Sequence, residues 1–359
     1  MNEQNPIIVA VDDQPAILHT VASELSELYQ IRPFSSGQTA LKYLENHPAD
    51  LILLDYDMPG MNGCEILERL RADERMTGIP VIFLTGSTHG DTEVELLEKG
   101  ASDYIQKPIK TRVLQTRVHI QLELIRYRNH METLVEEKTR KMRNREDIAL
   151  NLLARATDMR DHDTGDHIKR TTGIIRTIVM DLMDNPVTGY TLTPQEGEDI
   201  IKSSKLHDLG KIAIPDKILL KPNRLNEDEF ELIKQHPLYG AELLGEYNPQ
   251  TGDDSFLDTA IDIALNHHEK WNGEGYPNGL SGEEIPLSAR ITALADVYDA
   301  LTSARPYKDP YSHKEALGII ASCSGTHFDP YIADLFIKHE KEFNKIVKTV
   351  MKVQMEVGA

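Results

Sequence analysis

The chain has 359 residues, of which 40% are hydrophobic and 27% are charged, as is typical of globular proteins with two or three domains. The formal net charge of −19 argues against a broad basic surface for nucleic acid. The two cysteines, Cys64 and Cys323, exclude a disulfide framework. Because the first residues lack a signal-peptide pattern and no run of 18 apolar residues occurs, we expect a cytoplasmic protein without a membrane span.

The first part of the chain, residues 1–110, alternates short apolar runs with amphipathic helical patterns. The runs at 6–11, 51–54 and 81–84 are apolar and rich in β-branched residues, as in the buried strands of a parallel sheet. Strands that alternate with helices indicate a doubly wound α/β domain.

Residues 111–146 form a predicted helical linker. Apolar residues recur there at the spacing of a coiled-coil seam, and they are Val113, Ile120, Leu124, Tyr127, Met131 and Leu134. The pattern leaves two alternatives open, a solvated helix that connects two domains and a helix that forms a homodimer. From residue 147 to residue 359 strand-like alternation is absent, so we expect an all-α domain.

Functional side chains follow the candidate strands of the α/β domain. Asp12 and Asp13 follow the first strand, Asp55 the second, Thr85 the third and Lys107 a weak last strand, DYIQ. The carboxyl ends of parallel strands share one crevice, so these side chains should converge. Three carboxylates in one place require a hard cation, and oxygen ligands suit Mg²⁺. One carboxylate could then accept a phosphoryl group, whose oxygens the hydroxyl and the ammonium would bind.

The segments VDD, LILLDYDMPGMNG, FLTG and the final Lys-Pro pair resemble the receiver domain of bacterial response regulators, over residues 6–120. The resemblance implies a five-stranded parallel sheet and phosphorylation of Asp55 by a cognate histidine kinase. It also implies that Thr85 and Lys107 contact the phosphate and that Tyr104 is the aromatic switch residue. The Mg²⁺ ligands that it implies are the carboxylates of Asp12, Asp13 and Asp55 and the backbone carbonyl of Asp57.

The helical half carries many histidines and aspartates. Five imidazoles and two or three carboxylates exceed the four ligands of a closed structural zinc site, and they suit two transition metals with a bridging carboxylate. Asp163 and His167 are four residues apart, which would place them on one face of a helix. The candidate ligands are His167, His207, Asp208, His236, His267, His268, Asp296 and Asp163.

The segments HDLGKI, HHEKWNGEGYP and ADVYDALTSARPYK resemble the HD-GYP family of metal-dependent phosphodiesterases, over about residues 150–345. The resemblance implies a helical HD fold that hydrolyses cyclic di-GMP to pGpG, and in some members on to GMP, with iron or manganese as the metal. Lys211, Arg305 and Lys308 match positions that contact the substrate phosphate. Tyr276 would offer its hydroxyl to a phosphate or its ring to a guanine.

One position departs from the family pattern. Many members carry glutamate four residues before the first histidine, whereas this chain has Asp163, whose side chain is one methylene shorter. The resemblance connects that glutamate with three-metal centres, so we expect two metals here.

The leading hypothesis is a cyclic di-GMP phosphodiesterase that phosphorylation of Asp55 controls. A hybrid cyclic GMP-AMP is an alternative substrate. Two other classes remain open, an inactive adaptor that binds nucleotide or a diguanylate cyclase, and a di-iron oxygenase.

Overall fold

The protein divides into two compact units, and the helices of its described part include none with the length and apolar character of a membrane span. The units are Met1–Arg140 and Lys141–Ala359. The computed structural model of the protein describes residues 5–86, 96–161, 166–246, 255–303 and 309–357.

The first unit is built on a parallel sheet of five strands in the order β2-β1-β3-β4-β5. The strands are β1 Ile7–Val11, β2 Gln30–Phe34, β3 Leu51–Asp55, β4 Val81–Thr85 and β5 Asp103–Gln106. All positions of β3 and β4 are buried, as expected of central strands with helices on both faces. The predicted doubly wound α/β fold is confirmed.

Alternate residues of each strand point into two separate apolar cores, one on each face of the sheet. One core joins Ile52 of the sheet to Leu67, and the other joins Leu51 to Val21 and Val118. These core partners come from helices that pack on opposite faces of the sheet. The helices of this unit are α1 Pro15–Leu25, α2 Gly37–Leu44, α3 Gly63–Ala72 and the first part of α4 Thr111–Asp158.

The residues of the predicted coiled-coil seam lie on α4. Their side chains are between 36% and 65% exposed in the single chain. Such exposure agrees with either alternative for this helix, so the homodimer stays a prediction.

The described part of the second unit contains helices and no β-strand, which confirms the predicted all-α domain. Its helices, after the end of α4, are α5 His167–Asp184, α6 Pro194–Ser203, α7 Asp216–Leu219, α8 Glu227–Ile233, α9 His236–Gly245, α10 Ser255–Asn266, α11 Leu287–Thr302, α12 His313–Ser322, α13 Pro330–Lys338 and α14 Glu340–Val357. Tyr298 of α11 packs edge-on against Phe336 of α13 with ring centroids 4.9 Å apart, and Phe336 stacks on Phe343 of α14 at 4.4 Å. This aromatic core fixes α11, which carries part of the site described below.

A buried carboxylate on α5 connects that helix to the C-terminal helices. Asp181 Oδ2 lies 2.6 Å from Lys338 Nζ and 2.5 Å from His339 Nε2. Burial alone would raise the pKa of Asp181, but the hydrogen bonds from Lys338 and His339 lower the pKa to about 2. An acid with a lowered folded pKa stabilises the fold above its unfolded pKa, and this contribution is lost as the pH falls towards the folded value.

Asp181→Asn is therefore expected to lower the free energy of unfolding near neutral pH by about 2 kcal/mol, the usual loss for hydrogen bonds to a charged group. The difference in the free energy of unfolding between variant and wild type should disappear as the pH falls from about 4 towards the folded pKa of Asp181, which is about 2. Urea unfolding at several pH values measures this, with Asp184→Asn, an exposed position on the same helix, as the control. A loss that is independent of pH would contradict the electrostatic explanation.

Candidate functional site

The first candidate site lies at the carboxyl ends of β1, β3 and β5. Lys107 Nζ is 2.7 Å from Asp12 Oδ2 and 2.8 Å from Asp55 Oδ1. Carboxylate oxygens of Asp12, Asp13 and Asp55 lie within 4.8 Å of one another. Thr85, the last residue of the neighbouring strand β4, is buried. The structure thus brings the predicted acids and the lysine together, with the threonine on the adjacent strand.

The electrostatics of this site fit a bound cation. Burial raises the pKa of Asp55 above its ordinary value, Lys107 opposes the rise, and the nearby Asp12 carboxylate adds to it. Asp13 Oδ1 and Asp55 Oδ2 are buried and have no hydrogen-bond partner among the residues that the structure describes. A hard cation with oxygen ligands would satisfy both atoms and neutralise the crowded charge, so the residues fit Mg²⁺.

Two further residues were predicted for this site, and one of them contacts the cluster. The backbone N–H of Asp57 hydrogen-bonds to the Asp55 carboxylate, which holds the loop after β3 against the acid. Tyr104 on β5 is half-buried, and its ring centroid lies 5.2 Å from the guanidinium carbon of Arg117. Its role as a switch stays a prediction.

The second candidate site lies in the helical unit, where Asp208 stands between two groups of histidines. Its Oδ1 is 3.2 Å from His236 Nε2 and 3.9 Å from His267 Nε2. Its Oδ2 is 3.4 Å from His207 Nε2. Since each oxygen faces a different imidazole group, this carboxylate can bridge two cations.

The other predicted ligands that the structure describes lie in or beside the same two groups. His167 Nε2 lies 3.4 Å from His207 Nε2, and Asp296 Oδ1 lies 3.7 Å and 4.0 Å from these two nitrogens. On the other side, the rings of His267 and His268 have centroids 4.1 Å apart. The ligand atoms within each group lie within 4.8 Å of one another, and the groups are His167, His207 and Asp208, and Asp208, His236, His267 and His268.

Hydrogen bonds at Nδ1 orient these imidazoles. The Nδ1 atoms of three histidines lie close to backbone carbonyls three or four residues earlier in the chain, namely His207 to Ser204 at 2.8 Å, His236 to Ile233 at 2.8 Å and His267 to Ile263 at 3.0 Å. If Nδ1–H donates to the carbonyl, the Nε2 lone pair points towards the centre. The Nε2 atoms of His236 and His267 are only 3.3 Å apart, so their facing lone pairs repel each other, and a shared cation removes that repulsion. The donor set therefore fits transition-metal ions.

His167 is held differently from the other histidines. Its Nδ1 lies 2.8 Å from Asp299 Oδ2, and Arg170 in turn donates two hydrogen bonds to the Asp299 carboxylate. Burial alone would lower the pKa of His167, but Asp299 and Asp296 raise it to about 9. By contrast, burial and the neighbouring His236 lower the pKa of His268 to about 4, which keeps that ring neutral.

Two of the four predicted substrate residues lie at this centre. Lys211 Nζ is 2.8 Å from Asp208 Oδ2. The Tyr276 ring stacks on His268, with centroids 4.8 Å apart and planes inclined by 28°. The other two predicted substrate residues, Arg305 and Lys308, and the predicted ligand Asp163 lie outside the described residues.

The sequence reasoning did not assign a role to Glu269, which follows the two adjacent histidines. Glu269 is 2% exposed, and its Oε1 accepts hydrogen bonds from the N–H groups of Asn278 at 2.7 Å and Gly279 at 3.0 Å. A Cβ at Gly275 would lie 2.4 Å from Glu269 Cα, so only glycine allows this close approach. Together these residues hold the loop that carries Tyr276. The sequence signal for Glu269 was its place in the HHE triplet, but that triplet does not reveal that the glutamate side chain is buried.

Comparisons with known proteins agree with the two units. The family model of the response regulator receiver domain matches residues 8–119. The family model of the HD domain matches residues 166–332.

Several relatives match the chain in sequence. A "Probable cyclic di-GMP phosphodiesterase" of Vibrio cholerae serotype O1 is 39% identical over 349 residues, which cover 95% of this chain and 79% of the relative. The "Cyclic di-GMP phosphodiesterase response regulator RpfG" of Xanthomonas campestris pv. campestris is 37% identical over 350 residues, 94% of this chain and 89% of the relative. A "3'3'-cGAMP-specific phosphodiesterase 2" of Vibrio cholerae serotype O1 is 39% identical over 191 residues, 53% of this chain and 34% of the relative.

Proposed function

The chain belongs to the family of response regulators that join a receiver domain to an HD-type phosphodiesterase domain, and on that basis we propose that it hydrolyses cyclic di-GMP under the control of Asp55 phosphorylation. The observation that carries the proposal is the Asp208 carboxylate, whose two oxygens face two different histidine groups. Such a bridge is the arrangement that two-metal phosphodiester hydrolysis requires. The products are pGpG and, with a second hydrolysis, GMP.

We propose that two ions, iron or manganese, occupy this centre. When bound, such ions act as Lewis acids on the phosphodiester and lower the pKa of a coordinated water. The proposed ligands are His167, His207, Asp208 and Asp296 for one ion, and Asp208, His236, His267 and His268 for the other.

The cationic side chains of the site serve the substrate in this proposal. The Lys211 ammonium lies 2.8 Å from Asp208 Oδ2. A cation on Asp208 would take over the neutralisation of this carboxylate and would allow the Lys211 ammonium to turn to a non-bridging phosphate oxygen. Arg305 and Lys308 are proposed, from the sequence motif alone, to bind further phosphate oxygens.

In the first unit we propose that Asp55 takes a phosphoryl group from a histidine kinase, with Mg²⁺ on Asp12, Asp13, Asp55 and the Asp57 carbonyl. Lys107 already contacts the acceptor carboxylate, and Thr85 ends the adjacent strand, so both are near enough to bind the new phosphate oxygens. We also propose a homodimer through α4, whose apolar seam is exposed in the single chain and is spaced as in a coiled coil.

The test of the proposed activity is an assay of anaerobically purified full-length protein with cyclic di-GMP and with 3'3'-cGAMP, with metal content determined on the same sample. Release of pGpG or GMP by protein with about two ions per chain is the expected result. The cGAMP-specific relative makes 3'3'-cGAMP the second candidate substrate. Faster turnover of 3'3'-cGAMP would identify that dinucleotide, and not cyclic di-GMP, as the preferred substrate. Full metal loading without turnover of either substrate would refute the proposed activity.

Tyr276 provides a test of how the base is bound. Its ring stacks on His268, which places it beside the proposed metal ligands, and we propose that the ring binds a guanine by stacking. Tyr276→Ala is expected to raise KM roughly 10- to 100-fold, the usual effect of losing one base–aromatic stack. Tyr276→Phe keeps the ring and should change KM by less than about threefold. If the phenylalanine variant behaves like the alanine variant, the hydroxyl and not the ring binds the substrate.

A further inference from the structure

The end of the long helix α4 contacts the chain segment that follows the bridging carboxylate. Arg160 lies two residues beyond the end of α4, and its guanidinium donates hydrogen bonds to four acceptors. The acceptors are the carbonyls of Lys211 at 3.3 Å, Ile212 at 2.5 Å and Ile214 at 3.1 Å and the carboxylate of Asp216 at 2.5 Å. One side chain thus contacts most of the segment from Lys211 to Asp216.

The chemistry of this contact is specific to arginine. The segment is a short 3-10 turn, Leu209–Ala213, followed by the start of α7. The Lys211 carbonyl accepts from the N–H of Ile214 at 3.1 Å, and its oxygen has a second lone pair that Arg160 can use. A planar guanidinium presents five N–H donors in a rigid fork, which can serve several carbonyls and a carboxylate at once. A lysine ammonium has three donors at a single point and cannot span the same four acceptors.

The same helix also contacts the chain on the other side of the ligands His207 and Asp208. Asp147 Oδ1 of α4 lies 3.3 Å from Lys205 Nζ. Leu150, one turn further along α4, is buried in one apolar cluster with Leu206 and Leu209. The last part of α4 and Arg160 therefore hold the ligand-bearing segment at both of its ends.

A short path through the backbone connects Arg160 to the Lys211 ammonium and the Asp208 carboxylate. The N–H of Lys211 donates to the carbonyl of Asp208 at 3.0 Å, and the Lys211 ammonium lies 2.8 Å from the Asp208 carboxylate. The Lys211 carbonyl is one of the groups that Arg160 binds. A displacement of the Arg160 acceptors would therefore displace Lys211 and alter its contacts with Asp208.

We propose that Arg160 is a positioning residue that fixes Lys211 and Asp208 from the end of α4, and that movements of α4 reach the metal centre through this contact. Its consequence for catalysis rests on the proposed phosphodiesterase function, whereas its effect on the 207–216 segment does not. Arg160 touches neither the substrate nor the metal ligands' side chains in this scheme.

The test compares Arg160→Ala and Arg160→Lys in the full-length protein, with Arg155→Ala, an exposed arginine on α4, as the matched control. Hydrogen exchange is measured on the amides of residues 209–216 other than Pro215 and, as an internal reference, on those of α11. Arg160→Ala is expected to speed exchange at 209–216 at least about tenfold without changing α11. Faster exchange throughout the unit would indicate general destabilisation and overturn the proposal.

Turnover of cyclic di-GMP gives the second readout. Arg160→Ala is expected to lower kcat/KM about 10- to 100-fold, as for residues that orient metal-site groups from outside, while Arg155→Ala stays at the wild-type value. Arg160→Lys should recover only a small part of the loss, and free methylguanidinium should restore activity to the alanine variant. Unchanged exchange at 209–216 overturns the inference, even if the wild-type protein proves inactive. An inactive wild type with locally faster exchange in the variant refutes the proposed function and leaves the positioning role intact.

Discussion

Asp208→Asn is expected to lose both metal ions and to lower the rate of cyclic di-GMP hydrolysis by roughly a thousandfold, the effect of about 4 kcal/mol on a barrier. The reason is geometric. Asp208 Oδ1 faces His236 and Oδ2 faces His207, so one substitution removes an anionic ligand from both groups. Asparagine keeps the size of the side chain, but it offers a neutral carbonyl oxygen to one side and an N–H donor to the other.

The measurement is metal content per chain together with kcat and KM. Asp334→Asn, an exposed carboxylate on α13, is the matched control and should keep both ions and full activity. The folding of the Asp208→Asn variant must be compared with that of the wild type, because Lys211 loses its ion-pair partner in the variant. If Asp208→Asn retains two ions per chain with normal turnover, the bridging role of this carboxylate is wrong.

Asp55→Asn is expected to abolish phosphorylation of the protein altogether. In the structure Asp55 ends β3 with its Oδ1 on Lys107 and its Oδ2 buried without a hydrogen-bond partner among the described residues. An amide nitrogen or oxygen at this position cannot form the acyl phosphate that a carboxylate forms. Removal of Mg²⁺ with a chelator should have the same effect on the wild type, because the crowded acids would no longer be neutralised.

Labelling with a small phosphodonor such as acetyl phosphate, followed by separation of the phosphorylated form, measures this reaction without the cognate kinase. Asp57→Asn is a sharp control, because Asp57 is exposed and is proposed to act through its backbone carbonyl, which asparagine retains. Labelling of the Asp57 variant should stay within about threefold of wild type. Persistent labelling of the Asp55 variant would mean that another side chain is the acceptor.

Much of this architecture could be predicted because its signals are local. The strands β1, β3 and β4 are short apolar runs, and the acids at their ends converge because parallel strands share one edge. These patterns depend on neighbours within a few residues, which is the range that sequence periodicity can read. His207, Asp208 and the later histidines were grouped by a different signal, the resemblance of their motifs to the HD-GYP family.

The partners that orient the site could not be predicted, because they are distant in sequence. His167 and Asp299 are separated by 132 residues, and Arg160 lies 51 residues before the first carbonyl that it binds. No periodicity connects such pairs, and each of these residues alone looks like an ordinary helical charge. Only the fold shows that Asp299 contacts the ring of His167 and that Arg170 in turn holds Asp299.

The hydrogen bonds at Nδ1 have a consequence for how the protein handles its metals. His207, His236 and His267 each place Nδ1 close to a carbonyl three or four residues earlier in the chain, so the orientation of these rings depends on local backbone geometry. A substitution that displaces one of these turns would therefore misdirect an imidazole without removing it, and would weaken metal binding while leaving the set of ligands complete.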